Sequence, residues 1–438
     1  MTPSQKLPTR AVFRTWWPLA ASWILMGLEG PALNIVVARL ADPRIHLAAY
    51  GSLVFPLALL VEAPIIMLLA ASTALCRDWE AYRKIRRFMH VAGASLTVLH
   101  VLVVATPLYG LLVRGLLDVP EEIVGPGRIG LAIMLPWTWS IAYRRFNQGV
   151  LIRFGHSVVV GIGTAIRLTA DVSVLAIGFA LGSLPGTVFA TAAIAAGVLS
   201  EAAYAGIRVR PVLRNELPAG EPNSLTYKAF FQFYVPLSLT SVVLLGARPI
   251  LTAAVSRMPN ALDSLAVLPV ITGLSFLFRS TGVAFSEVAI AHLDTAGSMR
   301  TLRRFAFGLM GATTAGMLLV ASTPLSQLWF GTITGLPEDL TGLARHGLWF
   351  AVLLPPLAAL QSWFQGVILH SRRTRSVTEA VLIYLFVSTA ILLAGIQWGT
   401  MVGVYVGLIA MTLGEIARAV WLGWRGRHAR LALWARDA

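Results

Sequence analysis

The sequence predicts an all-α polytopic membrane protein, with twelve transmembrane helices arranged as two six-helix lobes. Three observations predict it. The chain has 438 residues, of which 57% are hydrophobic and only 13% charged, against about 25% charged in soluble domains. Its mean hydropathy is +0.74, and the apolar residues fall into blocks long enough to cross about 30 Å of hydrocarbon as helices. The second half of the chain also repeats the first. Barrel strands would be about ten residues long and alternate in polarity, which these blocks do not.

The predicted spans are 15–39, 47–75, 88–115, 129–151, 157–181, 186–207, 229–256, 262–291, 305–330, 342–369, 376–398 and 401–423. Basic residues gather in the loops after even-numbered spans. Arg77, Arg83, Lys84, Arg86 and Arg87 follow span 2, and Arg153 follows span 4. Arg208, Arg210, Arg214 and Lys228 follow span 6, and Arg300, Arg303 and Arg304 follow span 8. Arg372, Arg373 and Arg375 follow span 10, and Arg425, Arg427 and Arg430 follow span 12. The opposite loops hold Asp42 and Arg44, Asp118 with Glu121 and Glu122, Asp263, and Glu338 with Asp339. By the positive-inside rule both termini are cytoplasmic, in a multi-pass protein of the cell's inner membrane. The N-terminus, with Lys6, Arg10 and Arg14 before its apolar run, resembles a signal peptide. That run is too long, contains Glu29 and has a partner later in the chain, so it reads as span 1.

The net charge of +15 is accounted for by this loop pattern, and no nucleic-acid-binding signature accompanies it, so no nucleic acid is expected. The single cysteine, Cys76, excludes an internal disulfide and a cysteine zinc site. The histidines lack ligand spacing, and no cofactor is expected. There is no phosphate-binding GxxxxGK[ST] loop and no nucleophile elbow, and the loops are too short to hold an enzyme.

The repeat runs at a spacing of roughly 217 residues. "WWPLAASWILMGLEGPALNIVVAR" answers "YVPLSLTSVVLLGARPILTAAVSR", aligning Pro18 with Pro236, Pro31 with Pro249 and Arg39 with Arg257. "RRF" recurs at 86–88 and 303–305, "TPL" at 106–108 and 323–325, and "QGVL" at 148–151 as "QGVI" at 365–368. "LSEAA" at 199–203 returns loosely as "LGEIA" at 413–417. Six spans per repeat is an even number, so the halves enter from the same side and are related by an axis along the membrane normal. The expected organisation is an N-terminal lobe 1–207, a polar, Pro-rich linker 208–228 and a C-terminal lobe 229–438. Two like lobes flanking a cleft are the plan of an alternating-access carrier.

Charges inside spans mark candidate sites, because each costs roughly 2.5–3.5 kcal/mol at the bilayer centre on insertion scales. Arg248 falls near the middle of span 7, as an ion-pair partner within its lobe or as a cavity-facing ligand whose guanidinium fork matches carboxylate or phosphate. Glu29 lies one position from its counterpart, Gly30. Glu62 on span 2 aligns with Ser280, beside Arg279 on span 8. Glu29 and Glu62 thus suggest an acidic wall, and Arg248 and Arg279 a basic one. The walls neutralise each other when empty, with a proton passing to a glutamate on anion binding, or they form static bridges between lobes. Arg167 and Asp171, four apart on span 5, form an intrahelical pair or line the cavity. Glu201 and Glu415 occupy matching places on spans 6 and 12, with Arg418 beside the latter. Arg144 and Arg145, in the cytoplasmic half of span 4, are expected to snorkel to the interface.

"PALN" (31–34), "AAYG" (48–51), "QGVL" (148–151), "RPI" (248–250) with "VSR" (255–257), and more loosely "GEIAR" (414–418) together resemble the progressive ankylosis family of the multidrug/oligosaccharidyl-lipid/polysaccharide (MOP) exporter superfamily. The resemblance implies the MATE-like, MOP-like twelve-helix fold. It also implies export of a small anionic metabolite such as citrate, pyrophosphate or nucleotide by a monomer in the lipid bilayer, coupled to protons or sodium. Substrate contacts are then expected from Arg248, Arg279 and Arg167, and coupling or ion pairing from Glu29, Glu62 and Asp171. Glu29 is offset by one position from the glutamate of the animal members, and their long polar tail is absent. The same superfamily holds lipid-linked precursor flippases and cation-coupled multidrug exporters, the competing functions.

Overall fold

The computed structural model describes residues 7–437 apart from 183, 221–224, 296 and 372–374. Lys6, Arg372, Arg373 and part of the 208–228 linker therefore lie outside the described residues. Among those described there is no β-strand, and eleven helices are long and apolar enough to cross a membrane. They are α1 (Thr9–Ala38), α2 (Pro43–Glu62), α3 (Trp79–Ala105), α5 (Ser157–Leu181), α6 (Gly186–Asn215), α7 (Tyr227–Ser256), α8 (Ala261–His292), α9 (Ser298–Ser322), α10 (Glu338–His370), α11 (Arg375–Trp398) and α12 (Gly403–Arg425). The twelfth, α4, is a pair of helices, Glu121–Ile133 and Leu135–Arg153. It is long enough to cross but carries Arg144, Arg145, Asn147 and Gln148 in its second half. A surface helix, α13 (Arg427–Asp437), ends the described chain.

Local chemistry repeats with the sequence. In both "TPL" motifs the threonine is extended and its hydroxyl accepts from the backbone N–H two residues on. Thr106 serves Leu108 and Thr323 serves Leu325, both at 3.3 Å. The proline between them needs no partner, so the motif stops one helix and starts the next. Each restart then widens into a π-helical turn, Leu111–Leu116 in one repeat and Leu328–Thr334 in the other. α4 breaks at Met134 ahead of Pro136, and α10 breaks ahead of Pro355 and Pro356. α1 breaks at Leu28, where Pro31 cannot donate to the carbonyl of Gly27, whereas its counterpart α7 stays continuous through Pro249.

Packing divides the chain into two compact units, residues 36–256 and residues 1–35 with 257–438. The division is not the repeat boundary. Each unit holds the first helix of the other repeat. In the first unit α7 packs on α2, where the proline-broken turn after Glu62 leaves the Pro64 carbonyl outside any helix. Tyr234 and Ser238, four apart on one face of α7, both donate to it, at 2.5 and 3.2 Å. Lower on α7, Thr252 donates to the Ser52 carbonyl at 2.5 Å. Phe88 of α3 meets Phe230 and Tyr234 with ring centroids 4.9 Å apart. In the second unit α1 packs on α8. Trp16 Nε1 donates to the Thr281 carbonyl at 2.9 Å, and Asn34 to the Pro269 carbonyl at 3.2 Å. Of these carbonyls, that of Pro64 lies outside any helix, and the α7 hydroxyls supply the partners it would otherwise lack inside hydrocarbon.

α6 continues through Asn215, so residues 208–215 of the expected linker are helical. The segment after it lies on the start of α3. Trp79 donates to the Pro218 carbonyl at 3.0 Å, and Lys84 to that of Leu225 at 2.8 Å.

Candidate functional site

The buried charges of the first unit gather around Glu201, in the middle of α6. Small residues on α6 let its neighbours approach: a Cβ on Gly197 would stand 1.8 Å from Asp171 Oδ1 and 2.9 Å from Arg167 Cγ. Arg144 and Gln148 lie four apart on α4 and so face α6 together. Arg144 Nη1 donates to Glu201 Oε2, and Gln148 Nε2 donates to Oε1 at 2.8 Å. Arg167 Nε approaches Glu201 Oε2 to 3.7 Å from α5. Arg144, Gln148, Asp171 and Glu201 are all buried. Beside them, Glu62 Oε2 and Arg145 Nε are buried without a hydrogen-bond partner. Each feels the other's charge, and Arg145 also feels the repulsion of Arg144. Three arginines and three carboxylates make the cluster formally neutral. Unmatched, six such charges would cost about 15–20 kcal/mol at the bilayer centre, so pairing is what lets the unit fold around them.

The second unit builds a smaller version on α8, α10 and α12. Glu415 accepts from Arg279 Nη2 at 2.6 Å and from Gln361 Nε2 at 2.8 Å, with Arg418 Nη1 at 3.4 Å. Gln361 stands one repeat spacing from Arg144, and Tyr384 one spacing from Arg167. Gly414, one spacing from Gly197, meets the Tyr384 ring, with its Cβ position 2.9 Å from Cδ2. Glu415 itself is displaced by three residues from that register, about one helical turn, which keeps its carboxylate on the same face.

The structure places each predicted residue as follows. Arg279 pairs inside its own unit, with Glu415, rather than serving as one side of a basic wall. Glu62 lies among Arg144 and Arg145 of its own unit. Arg167 faces Glu201 and Asp171 packs against Gly197, so both belong to the same cluster. Glu29 is half-buried at the start of the second segment of α1, where a carboxylate suits the positive end of a helix. Arg248 stands apart from both clusters. It is exposed in the last third of α7, its guanidinium 6.0 Å from the centroid of the Phe55 ring.

No protein-family model matches the chain, and no curated protein matches it. Solved structures do match. An inward-facing multidrug resistance MATE transporter of the MOP superfamily superposes with a TM-score of 0.72 at 16% identity, over 94% of this chain and 96% of that one. The lipid II flippase MurJ, in an inward closed conformation, gives 0.72 at 14% identity over 95% and 89%. A MOP-superfamily transporter from Pyrococcus furiosus, described as having a binding pocket of reverse polarity that suggests a different function, gives 0.62 at 16% identity over 98% and 97%.

The chain has the MOP-transporter fold. The eleven apolar helices and these likenesses support a multi-pass membrane protein, and the all-helical class is the one expected from hydropathy.

One sequence expectation is corrected. Arg144 does not snorkel to an interface; it is buried and bound to Glu201, and Arg145 beside it is also turned inward, its Nε buried. The reason is the demand of Glu201, a buried carboxylate in the small, apolar stretch 186–207 of α6 that needs a cation from its neighbours. Arg144, Arg145, Gln148 and Gln361 were thus missed as interior residues. The signal was present in α4 itself, the span too polar to qualify as lipid-facing. A helix that must cross yet carries such residues turns them toward the bundle.

Proposed function

We propose that this chain is a secondary transporter working by alternating access, and that it exports a small anionic metabolite of the citrate, pyrophosphate or nucleotide class across the cytoplasmic membrane, with both termini cytoplasmic. The observation that carries the reading is Arg248: a guanidinium exposed within an apolar spanning helix, eight residues from its end, on a helix that packs on a broken neighbour. An intramembrane cation of this kind is functional by default and faces a wet cavity, and its planar fork suits carboxylate or phosphate. The buried clusters support the same reading from the other side. Glu201 and Glu415 are engaged by arginines of their own unit, which leaves fewer acids to attract a cationic drug. The pocket of reverse polarity described for the P. furiosus transporter is a precedent for a MOP fold serving a different cargo. Membership of the progressive ankylosis family is part of this proposal. Arg279 and Arg167 act in it as partners of Glu415 and Glu201, and Glu29 and Glu62 as the candidate coupling carboxylates.

Uptake into proteoliposomes tests the proposal, with citrate, pyrophosphate, ATP and a cationic dye offered with and without a pH gradient. Transport of one of the anions, lost in Arg248→Gln and partly kept in Arg248→Lys, is the expected result. Transport of the dye alone favours the cation-coupled exporter. Transport of none of the four, together with movement of a fluorescent polyprenyl-linked substrate, favours the flippase that the MurJ likeness keeps in view. Full anion transport by Arg248→Gln removes Arg248 from the site.

A further inference from the structure

α13 is strapped across the second unit by its ends. At its far end Asp437 accepts from the backbone N–H of Met299 at 2.9 Å, and Arg436 Nη1 donates to the Leu293 carbonyl at 2.7 Å. Burial raises the Asp437 pKa, but the N–H groups of Met299 and Gly297 and the Arg436 guanidinium more than offset this and hold it below the ordinary aspartate value. The carboxylate thus caps the first turn of α9. At its near end Arg430 Nη2 donates to the Gly423 carbonyl at 2.5 Å, and its guanidinium lies 4.6 Å from the Phe364 ring centroid.

Between these anchors Ala429, Leu433 and Trp434 pack on the core, but the contact is incomplete. A groove of about 410 Å³ runs beneath the strap, walled by Phe307, Leu360, Trp363, Phe364, Leu431 and Trp434. Its polar rim is Arg303, Arg427 and Arg430, with Arg303 held 4.8 Å from the Trp434 ring centroid. A second cavity, of about 360 Å³, is lined by Arg375, Ser376, Trp424, Arg425, Arg427 and His428. Arg427 borders both, so the two are neighbours. No carboxylate lines the second cavity among the described residues. The nearest acid in contact with its arginines is Glu379 on α11, which takes Arg425 at 2.9 Å and Arg375 at 3.3 Å. Three arginines against one glutamate leave a surplus of positive charge. An apolar trough opening beside a basic pocket, at the arginine-rich end of the bundle, matches a molecule with a hydrocarbon tail and an anionic head.

We propose that the two cavities form one binding site for an anionic phospholipid. The headgroup phosphate is held among Arg375, Arg425 and Arg427, and an acyl chain lies under α13. Charge complementarity selects the head, and the length of apolar wall beneath the strap selects a lipid over a soluble anion. A basic cluster beside a membrane surface is the usual reader of anionic headgroups.

The test uses the full-length protein purified in detergent and native mass spectrometry of bound lipid. Phosphatidylglycerol and phosphatidylcholine with identical acyl chains are offered in turn, then phosphatidylglycerol in competition with inorganic phosphate. The expected result is tighter binding of phosphatidylglycerol, by about fivefold for each surplus arginine, that phosphate does not displace. Arg427→Gln is expected to lose about that factor. Leu431→Glu, a change at an exposed position that sets a carboxylate over the groove, is expected to abolish the preference without altering the fold. Equal binding of the two lipids by the unmodified protein overturns the proposal. So does displacement by phosphate at equal concentration, which assigns the pocket to a soluble anion, and so does a preference that survives both substitutions.

Discussion

Glu201 is where a single side chain has the largest structural leverage. It accepts from Arg144 and Gln148, which are buried with it, and faces the half-buried Arg167. Removing its charge leaves three guanidiniums against two carboxylates and takes away the partner of the buried Arg144, and breaking a buried pair from one side costs about 3–5 kcal/mol. Glu201→Gln is therefore expected to lower the thermal unfolding midpoint in detergent sharply, and Glu201→Leu combined with Arg144→Leu to recover much of the loss. A double variant no better than the single one would show that the pair is not the source of the cost. The sequence located Glu201, Glu415, Arg167 and Asp171 as charges inside spans and paired Glu415 with Arg418, which the structure bears out at 3.4 Å. It did not show which partner each one takes. Arg279 had Glu29 and Glu62 as apparent complements in the repeat, and only the packing of α8 on α12 brings it to Glu415. Partner choice between helices depends on rotation about their axes, which periodicity alone leaves open.

At the scale of elements, the repeated "QGV" motif has a steric cause that the spacing could not reveal. Gly149 lies where α4 crosses the segment after the break in α2. A Cβ there would stand 1.9 Å from Ser72 Oγ and 2.4 Å from the Leu69 carbonyl oxygen. Gly366, its repeat partner on α10, faces the Ala289 Cβ at 2.6 Å. Close crossing through small residues is how membrane helices gain packing energy. Gly149→Ala is expected to destabilise by about 1–3 kcal/mol. Gly366→Ala is expected to cost less, because its added methyl meets one group, at 2.6 Å, where that of Gly149→Ala meets two, at 1.9 and 2.4 Å. Unfolding midpoints of the two variants decide the order, and equal midpoints would mean that α4 relaxes away from Ser72. The spans themselves were legible because hydropathy sets them directly. Their breaks are legible in the sequence only where proline announces them, as at Pro31, Pro355 and Pro356, whereas the π-helical turns at Leu111–Leu116 and Leu328–Thr334 leave no mark in composition.

For the whole molecule, the repeat boundary and the packing units differ in the placing of α1 and α7. A repeat found by alignment records duplication, while a unit records which surfaces bury each other. The difference has a consequence for folding. A fragment ending at residue 220 retains α2–α6 but lacks α7, whose tyrosine and serine satisfy the Pro64 carbonyl. Its α1 in turn lacks α8. Expressed alone, the fragment is expected to aggregate or be degraded, and co-expressed with residues 221–438 it is expected to yield a monodisperse complex. A stable, monodisperse fragment on its own would contradict this exchange of first helices.

The functional account depends on what Arg248 faces. Cys76 is the only cysteine and is buried, so Arg248→Cys introduces a single reactive thiol. The decisive measurement is its labelling rate with a charged, membrane-impermeant methanethiosulfonate in proteoliposomes, beside Leu239→Cys, an exposed position on the opposite face of α7. The account predicts that position 248 reacts many times faster than position 239 and that a transported anion slows it. Labelling at 248 no faster than at 239 would place Arg248 against lipid and contradict the account.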